Sequence, residues 1–328
     1  MKLRRAVGLG ALGALLVAGP ALAQDPVTPA PQPATPPAAP PKASVRLSSL
    51  QVTHGAVLAG DRWVVRGTVK PYVAGQQVAV RLYRRGRKVL VRSLAVRKVA
   101  GGGRFRMTLR LSSAGRITVR ASHRATAELG SAVARPLHVQ VVARSAQLGS
   151  RGLAVRRLQA RLAQRGYVVG RRGLFDDRTA RAVLAFRKVT GMQRTMTASG
   201  EVFRRLARGQ GAFRVRYPSH GRHVEADLGK QVIALIDHGK VERIYPVSSG
   251  KPSTPTVLGS FHVYSKTLGT NAKGMVDSNY FIRGYAIHGY ASVPPYAASH
   301  GCLRVPVPDA ASIYAWVRLG TGVDTYYR

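Results

Sequence analysis

The chain has a single cysteine and few acidic residues. One cysteine, Cys302, among 328 residues excludes an internal disulfide framework and zinc sites of the CxxC type. With 13 Asp and Glu against 52 Lys and Arg, the formal net charge is +39. Such a field attracts polyanions, namely nucleic acid, anionic lipid or acidic wall polymers. A solvated arginine-rich surface without any ligand has the same composition, so charge alone does not assign a partner.

Long hydrophobic runs are also lacking. The apolar run Ala6–Val17 is short and contains glycine, follows three basic residues and precedes the A-x-A sequence Ala21–Ala23. This order is typical of a secretory signal peptide, here over residues 1–23, and an uncleaved anchor is the alternative. We therefore expect an exported protein of the cell wall, periplasm or exterior, which meets the membrane only transiently. Export argues against a specific nucleic-acid partner.

Residues 24–42 are a predicted disordered linker. Eight prolines lie between Asp25 and Pro41 among Ala, Thr and Gln. This composition cannot bury a core and favours an extended, semi-rigid chain.

Residues 43–143 alternate between apolar and polar side chains, with turn residues between the runs. Alternation at this spacing predicts a β-sandwich of about seven antiparallel strands. The pattern resembles the Ig-like modules of exported bacterial proteins, which implies a spacing or adhesive role. Three scattered histidines, His54, His123 and His138, are expected on its surface. The clearest strand runs are Arg62–Arg66, Val78–Tyr83, Phe105–Leu111 and Ile117–Arg120.

The hydrophobic period then changes to that of helices. Val155, Leu158 and Leu162 share one helical face, and a second helix is expected after an N-cap at Asp176 or Asp177. A third short helix is expected from about residue 199 to 206, which completes a small three-helix bundle.

This segment, residues 145–210, resembles the peptidoglycan-binding-type helical module. Arg187 departs from the family pattern, which usually has Gln after the Phe, and it is expected to be exposed. The alternative is that the module only supports its neighbour. The resemblance is carried by Leu148–Gly152, Leu158-Gln159, Gly166-Tyr167, Gly173–Asp176, Thr179 and Ala182–Phe186.

Cys302 is the strongest candidate for chemistry. It lies among glycine and small residues, which is typical of a turn that exposes the sulfur. A thiolate nucleophile needs a nearby base or cation, and two histidines, His288 and His300, are close in sequence. On spacing alone, a structural cysteine is equally compatible with the pattern.

The last 108 residues, 221–328, resemble the L,D-transpeptidase (YkuD-like) catalytic domain. The resemblance implies a mostly-β fold, and its most specific part is the pair Ile287–Gly289 and Ser299–Arg304. The supporting segments are Val247–Gly250, Thr254–Thr256, Gly259–Phe261, Asp309-Ala310, Tyr314 and Gly320–Val323.

The resemblance also implies roles for individual residues. Cys302 is the implied nucleophile, His288 its general base, and the Gly289 carbonyl the group that orients this histidine. Arg304 stands where many members have Asn. The implied oxyanion and substrate pocket comprises Ser299, His300, Gly301, Gly289 and Arg304, and Tyr280, Tyr290 and Tyr296 either line an acyl-donor groove or pack the core and a short lid.

The implied reaction is acyl transfer between peptidoglycan stem peptides. A thioester forms with release of D-Ala, and a second stem resolves it into a 3→3 cross-link. An L,D-carboxypeptidase and a non-catalytic wall-binding protein are the alternatives. No cofactor or metal is expected, because His220, His223 and His238 lack an acid at zinc spacing and are expected in a solvated loop and a hairpin. No pattern indicates an oligomeric state.

Overall fold

The computed structural model describes residues 38–328, which form nineteen strands and four helices. The chain divides into two units, Met1–Ala39 and Pro40–Arg328, and the second contains all of these elements. The predicted signal peptide and most of the predicted linker lie outside the described residues. No helix of the described part is long and apolar enough to span a membrane.

The first ten strands form two sheets. Four strands are ordered β1-β3-β7-β6, and five are ordered β2-β10-β8-β4-β5, with β9 paired to β8. The inward faces share one hydrophobic cluster that includes Trp63, Phe105 and Ile117. The strands are β1 Ser44–Leu50, β2 Ala56–Leu58, β3 Arg62–Lys70, β4 Gln77–Arg84, β5 Arg87–Ala95, β6 Arg97–Val99, β7 Gly102–Arg110, β8 Gly115–His123, β9 Ala132–Val133 and β10 Leu137–Val142.

The alternating sequence explains the faces of these strands. In β7, Phe105, Met107 and Leu109 are buried, while Arg106 and Thr108 between them are exposed. Strands of two or three residues, too short to show alternation, raise the number above the predicted seven, and β2 pairs with β10 in parallel. One prediction here was wrong: His123 is buried, and its Nδ1 lies 3.2 Å from the Gln77 carbonyl.

Three helices follow: α1 Leu153–Ala163, α2 Asp177–Val189 and α3 Gly200–Ala207. Asp176 is the N-cap of α2, as the sequence predicted, and its carboxylate accepts a 2.9 Å hydrogen bond from the Thr179 amide. The expected exposure of Arg187 was wrong. Its guanidinium is buried and donates to the carbonyls of Thr197 and Gln193, because the loop after α2 folds back over the helix.

The remaining elements form two further sheets and a helix. Five strands are ordered β13-β12-β11-β19-β14, and four are ordered β15-β16-β17-β18. The helix α4, Val307–Trp316, packs on the second of these sheets. The strands are β11 His223–Asp227, β12 Val232–Asp237, β13 Lys240–Pro246, β14 Gly259–His262, β15 Ser265–Thr270, β16 Val276–Ile282, β17 Tyr285–Tyr290, β18 Leu303–Pro306 and β19 Gly322–Tyr326.

The helices and the five-stranded sheet share one hydrophobic core. Leu158, Val183 and Phe186 of the helices belong to the same buried cluster as Val232 and Ile244 of the sheet. The sheet therefore has two apolar faces, one covered by the helices and the other by the rest of the C-terminal region. This explains why β12 is buried over five consecutive residues instead of alternating.

Of the two histidines predicted in a solvated loop, His220 lies exposed in the loop before β11, whereas the prediction for His223 was wrong. This residue is fully buried in β11, and its Nε2 lies 3.4 Å from the equally buried carboxylate of Glu225. His238 does lie in the predicted hairpin, where it and Gly239 have positive φ angles of 46° and 74°. No group of three or more metal-ligating side chains is present among residues 38–328.

Candidate functional site

Two parallel strands bring the predicted residues together. The strand β17 pairs with β18 so that Ile287 lies opposite Leu303 and His288 opposite Arg304. Cys302 immediately precedes β18, so the turn that carries the thiol lies next to the strand that carries the imidazole. Fourteen positions separate Cys302 from His288 in the sequence, and only this pairing places them at one site.

The side chain of Ser299 holds the turn before Cys302. Its hydroxyl donates to the Cys302 carbonyl at 2.6 Å and accepts a 3.1 Å hydrogen bond from the Gly301 amide. The Gly301 amide is therefore already engaged, and the neighbouring Cys302 amide is the candidate donor to an oxyanion. Ser299 is fully buried and acts inside the turn rather than in the cavity.

Position 301 requires glycine for two reasons, its backbone conformation and a side chain that lies close to it. Its φ of 111° lies in the region that favours glycine. A Cβ at this position would lie 2.3 Å from Cε1 of Tyr285. The close contact lets the tyrosine ring form one wall next to the thiol.

The upstream segment, residues 248–256, supports the same turn through hydrogen bonds from its backbone and from the Thr256 hydroxyl. The Ser249 carbonyl accepts hydrogen bonds from the amides of residues 298 and 299, each 2.9 Å long. The Thr256 hydroxyl donates to the Gly301 carbonyl at 2.8 Å and accepts from the Gly250 amide at 2.9 Å. The segment 248–256, which is distant in sequence, therefore helps to fix the position of Cys302.

The thiol of Cys302 is half-buried. Burial raises its pKa above the usual range, and the Ala286 amide, Arg304 and Lys273 act in the opposite direction. The sulfur lies 3.8 Å from the Gly284 carbonyl, within reach of a weak S–H hydrogen bond. The protonated thiol is thus the resting form at neutral pH, and nucleophilic attack needs a base.

His288 has the protonation and tautomer that a base needs. Its ring is buried, and burial lowers its pKa below the usual 6.5, with the Gly289 carbonyl opposing this shift and Arg304 adding to it. Nδ1 lies 2.9 Å from the Gly289 carbonyl. A carbonyl only accepts, so Nδ1 carries the proton and Nε2 keeps its lone pair.

A cavity of about 350 Å³ joins these groups. Larger cavities lie in the first 144 residues but contain no cysteine, so the chemistry and not the volume identifies the site. The lining residues are Lys273, Met275, Gly284, Tyr285, His288, Tyr290, His300, Cys302 and Arg304.

The cavity has a cationic rim. The guanidinium of Arg304 lies 4.2 Å from the ring centre of Tyr290, which holds the charge beside the thiol. Lys273 also lines the cavity, and His300 lies 3.3 Å from the Lys251 amine. A carboxylate or an oxyanion is the ligand that such a rim favours.

Not every predicted residue reaches the cavity. Tyr296 is 60% exposed outside it, and Tyr280 instead accepts from the Asn271 amide at 3.3 Å. Sequence reasoning missed four lining residues, Lys273, Met275, Gly284 and Tyr285. The Gly-Tyr pair at the start of β17 was the available signal for two of them, whereas nothing in the sequence indicated Lys273 and Met275.

The helix α2 contacts the C-terminal region through buried polar groups. The amine of Lys188 donates to the carbonyls of Gln231 and Val247, both at 2.9 Å. Arg181 binds the buried carboxylate of Asp309 at the start of α4 through two hydrogen bonds of 2.8 and 3.2 Å. Gln231 in turn contacts both the hydroxyl and the amide of Ser249, which connects α2 with the support of the cysteine turn.

A thiol and a neutral imidazole in one cavity, on a mostly-β domain, define a candidate cysteine–histidine site. Residues 221–324 match the family described as YkuD, the L,D-transpeptidase catalytic domain. This C-terminal segment of the chain therefore belongs to the L,D-transpeptidase catalytic-domain family, which confirms the resemblance predicted from the sequence.

Two relatives agree with the family match. L,D-transpeptidase 1 of Mycobacterium tuberculosis (strain ATCC 25618 / H37Rv) is 30% identical, over 30% of this chain and 48% of its own length. This chain therefore spans about half the length of the curated relatives it matches. The crystal structure of the L,D-transpeptidase (residues 123-326) from Xylanimonas cellulosilytica DSM 15894 is 34% identical, with a TM-score of 0.51, over 56% of this chain and 97% of that one. That share exceeds the family match, so the structural likeness extends beyond the catalytic segment.

Proposed function

We propose that the protein is a cysteine L,D-transpeptidase that forms 3→3 cross-links in peptidoglycan. The observation that carries the proposal is the shared cavity of Cys302 and His288, in which Nδ1 of the imidazole is held by a carbonyl and Nε2 is left unprotonated. The family of the C-terminal segment supports the same assignment.

In the proposed first half-reaction, Nε2 of His288 takes the thiol proton as the Cys302 sulfur attacks the carbonyl carbon before the terminal D-Ala of a tetrapeptide stem. The resulting oxyanion is stabilised by the Cys302 amide and the cationic rim. When the intermediate collapses, the C–N bond breaks and the imidazolium returns its proton to the leaving amine of D-Ala. A thioester to Cys302 remains.

In the second half-reaction, a side-chain amine of another stem attacks the thioester carbonyl. His288 takes the proton of that amine, the C–S bond breaks, and the sulfur leaves and is reprotonated. Arg304 and Lys273 are the proposed contacts for a carboxylate of the donor stem, because both cations line the cavity. Tyr290 holds Arg304 in place. His300 is proposed at the rim of the same pocket.

The other regions have proposed roles as well. The two-sheet module, residues 43–143, is proposed to be an Ig-like spacer, and residues 145–210 a peptidoglycan-binding-like helical module, as the sequence pattern suggests. A signal peptide over residues 1–23 and a linker over 24–42 are proposed to bring the protein to the cell wall.

The test is mass spectrometry of purified disaccharide-tetrapeptide after incubation with the protein and, separately, with the Cys302→Ala variant. We expect a dimer one D-Ala lighter than two monomers, and no dimer with the variant. Tripeptide monomer alone assigns an L,D-carboxypeptidase with water as acceptor. Cross-linking by the variant contradicts the thioester mechanism, and binding to sacculi without any D-Ala release supports a non-catalytic wall-binding protein.

A further inference from the structure

The outer face of the four-stranded sheet β1-β3-β7-β6 is covered by cations. Residues directly opposite each other on neighbouring strands share a face. Trp63 and Phe105 point inward and are buried, so the alternate positions of β3 and β7 point outward. The outward cations, all exposed, are Arg46, Arg62, Arg66, Lys70, Arg97, Arg104, Arg106 and Arg110.

No acidic side chain balances these cations. The four strands contain neither Asp nor Glu. None of the eight cations is in an ion pair within the described residues, and the ion pair of this module joins Asp61 to Arg144 at its edge. A solvated face built only for solubility usually mixes both signs of charge.

Three pairs of arginines face each other directly across the strands. The register joins Arg66 to Arg106, Arg62 to Arg110 and Arg97 to Arg104. Like charges in directly opposite positions destabilise a sheet. A bound anion between the members of a pair attracts both of them and offsets their repulsion, so the arrangement favours binding of an anion.

The dimensions of the face fit a linear polyanion. Eight residues separate the row of Arg62 from that of Lys70, which corresponds to about 27 Å along the strands, and four strands span roughly 14 Å. Arg104 and Arg106 on β7 are about 7 Å apart, and the outward cations of β3 are four residues or about 14 Å apart. Seven of the eight are arginines, whose planar fork matches the oxygens of a phosphate.

The chemistry of the face narrows the kind of polyanion. Its outward positions in the described strands hold no aromatic side chain, so unpaired bases would find no stacking platform. Leu50 is its one large apolar side chain with substantial exposure, which leaves little to insert into a lipid surface. We propose that this face binds a flexible polymer with a phosphodiester in each repeat and no bases. The proposal does not depend on the reaction assigned to Cys302.

The test compares two triple variants of the full chain. Arg66→Gln/Arg104→Gln/Arg106→Gln removes three charges from the proposed face. Arg87→Gln/Lys88→Gln/Arg92→Gln removes three exposed charges from β5 of the other sheet and is the matched control. Binding of poly(glycerol phosphate) is measured by titration calorimetry at several salt concentrations.

We expect the face variant to bind at least ~10-fold more weakly, with a shallower salt dependence, and the control to stay within ~3-fold of the native chain. Without polymer, the face variant should melt no lower than the native chain, because two opposed pairs have been relieved. A loss of affinity with an unchanged melting temperature then reports binding and not unfolding.

Three results would overturn the proposal. Equal losses in both variants would mean that net charge alone attracts the polymer. If the native chain did not bind the polymer at low salt, a polymer of this class would not be the ligand. Tighter binding of single-stranded DNA or of vesicles containing phosphatidylglycerol, abolished by the same face variant, would assign the face to another class of ligand.

Discussion

At the scale of single residues, the site depends on two opposite consequences of burial. Burial raises the pKa of the Cys302 thiol and lowers that of the His288 imidazole. Both groups are therefore neutral at rest, and a preformed thiolate–imidazolium pair is disfavoured. In the proposed mechanism the proton therefore moves during the attack itself, so the tautomer held by Gly289 matters more than a low thiol pKa.

His288→Gln is expected to lower kcat/KM by about 10²–10⁴-fold, because general-base catalysis is lost. In the native enzyme the acid limb of the pH–rate profile should lie below pH 6.5, since the neutral base persists as the pH falls through that value. The stability of the folded protein also depends on the protonation of His288. The unfolded chain binds the proton more readily, so stability decreases as the pH falls through 6.5 towards the lower native pKa.

His300→Gln is the control for this variant, because His300 lines the cavity without being held by a carbonyl. Steady-state kinetics across pH 4–9 check both. A comparable loss in His300→Gln, or an unchanged acid limb in His288→Gln, would contradict the assigned base.

Gly301→Ala is expected to destabilise the protein by about 1–3 kcal/mol through overpacking alone and to lower activity strongly. The added Cβ would meet the Tyr285 ring at 2.3 Å, and the φ of 111° disfavours any other residue. Gly284→Ala is the matched control beside the same thiol, where a Cβ meets nothing within 4 Å. Thermal unfolding and kinetics of both variants measure the difference, and equal effects would refute the steric argument.

At the scale of elements, the turn that carries Cys302 is positioned by a segment far from it in sequence and by a helix of another region. Residues 248–256 hold the turn through their backbone and the Thr256 hydroxyl. Lys188 of α2 contacts Gln231, whose side chain in turn contacts Ser249. The alignment of β17 with β18 supplies the histidine. Three segments that lie far apart in the sequence therefore determine the surroundings of one thiol.

Lys188→Met is expected to cost about 1–3 kcal/mol, because two buried carbonyls lose their donor. We also expect a lower kcat with little change in KM, since the side chain acts through Ser249 and not on substrate. Burial lowers the pKa of this lysine to about 7, with Arg194 adding to the shift. The unfolded chain thus binds more protons between pH 7 and 10.5, and the resulting rise of stability with pH should disappear in the variant.

Arg157→Met on the exposed side of α1 is the control, because it removes a cation outside the buried contacts. Chemical denaturation at pH 7 and at pH 9.5 measures both effects. An identical pH dependence in native and Lys188→Met proteins would contradict the role of the lysine.

At the scale of the whole molecule, the catalytic segment is not self-sufficient in its packing. One face of the five-stranded sheet is covered by the helical region, and the apolar residues of both form one cluster. The buried ion pair of Arg181 with Asp309 joins the same two regions. The helices therefore share one folding unit with the C-terminal region, independently of any ligand that they bind.

A chain that begins at residue 221 is expected to aggregate or unfold, because it exposes the apolar side chains of Val232, Ala234, Ile236 and Ile244. A chain that begins at residue 145 keeps the helices and should fold. Size-exclusion chromatography and thermal unfolding distinguish the two. A monomeric, cooperatively folded chain from residue 221 would show that the shared core is dispensable.

The local patterns of the sequence were sufficient for the strands β3, β4, β7 and β8 and for the helices α1, α2 and α3. The alternation of apolar and polar residues predicted the buried face of β7, and helical periodicity predicted α1 and α2. Asp176 was one of the two residues predicted as the N-cap of α2. Cys302 and His288 were predicted from the resemblance carried by Ile287–Gly289 and Ser299–Arg304, because spacing alone fitted a structural cysteine equally well. These features were readable because each depends on neighbours a few positions away.

The sequence by itself indicated which regions are rich in strands or helices, the start of α2 and the candidate pair of the site. Only the tertiary structure decided that Arg187 and His123 are buried, that Lys273 lines the cavity and that Lys188 reaches the support of Cys302. The same holds for the three opposed arginine pairs, which need the register of β3, β6 and β7. The physical reason is that these contacts join residues far apart in the chain, and a periodic pattern describes only which side of an element is apolar, not what covers it.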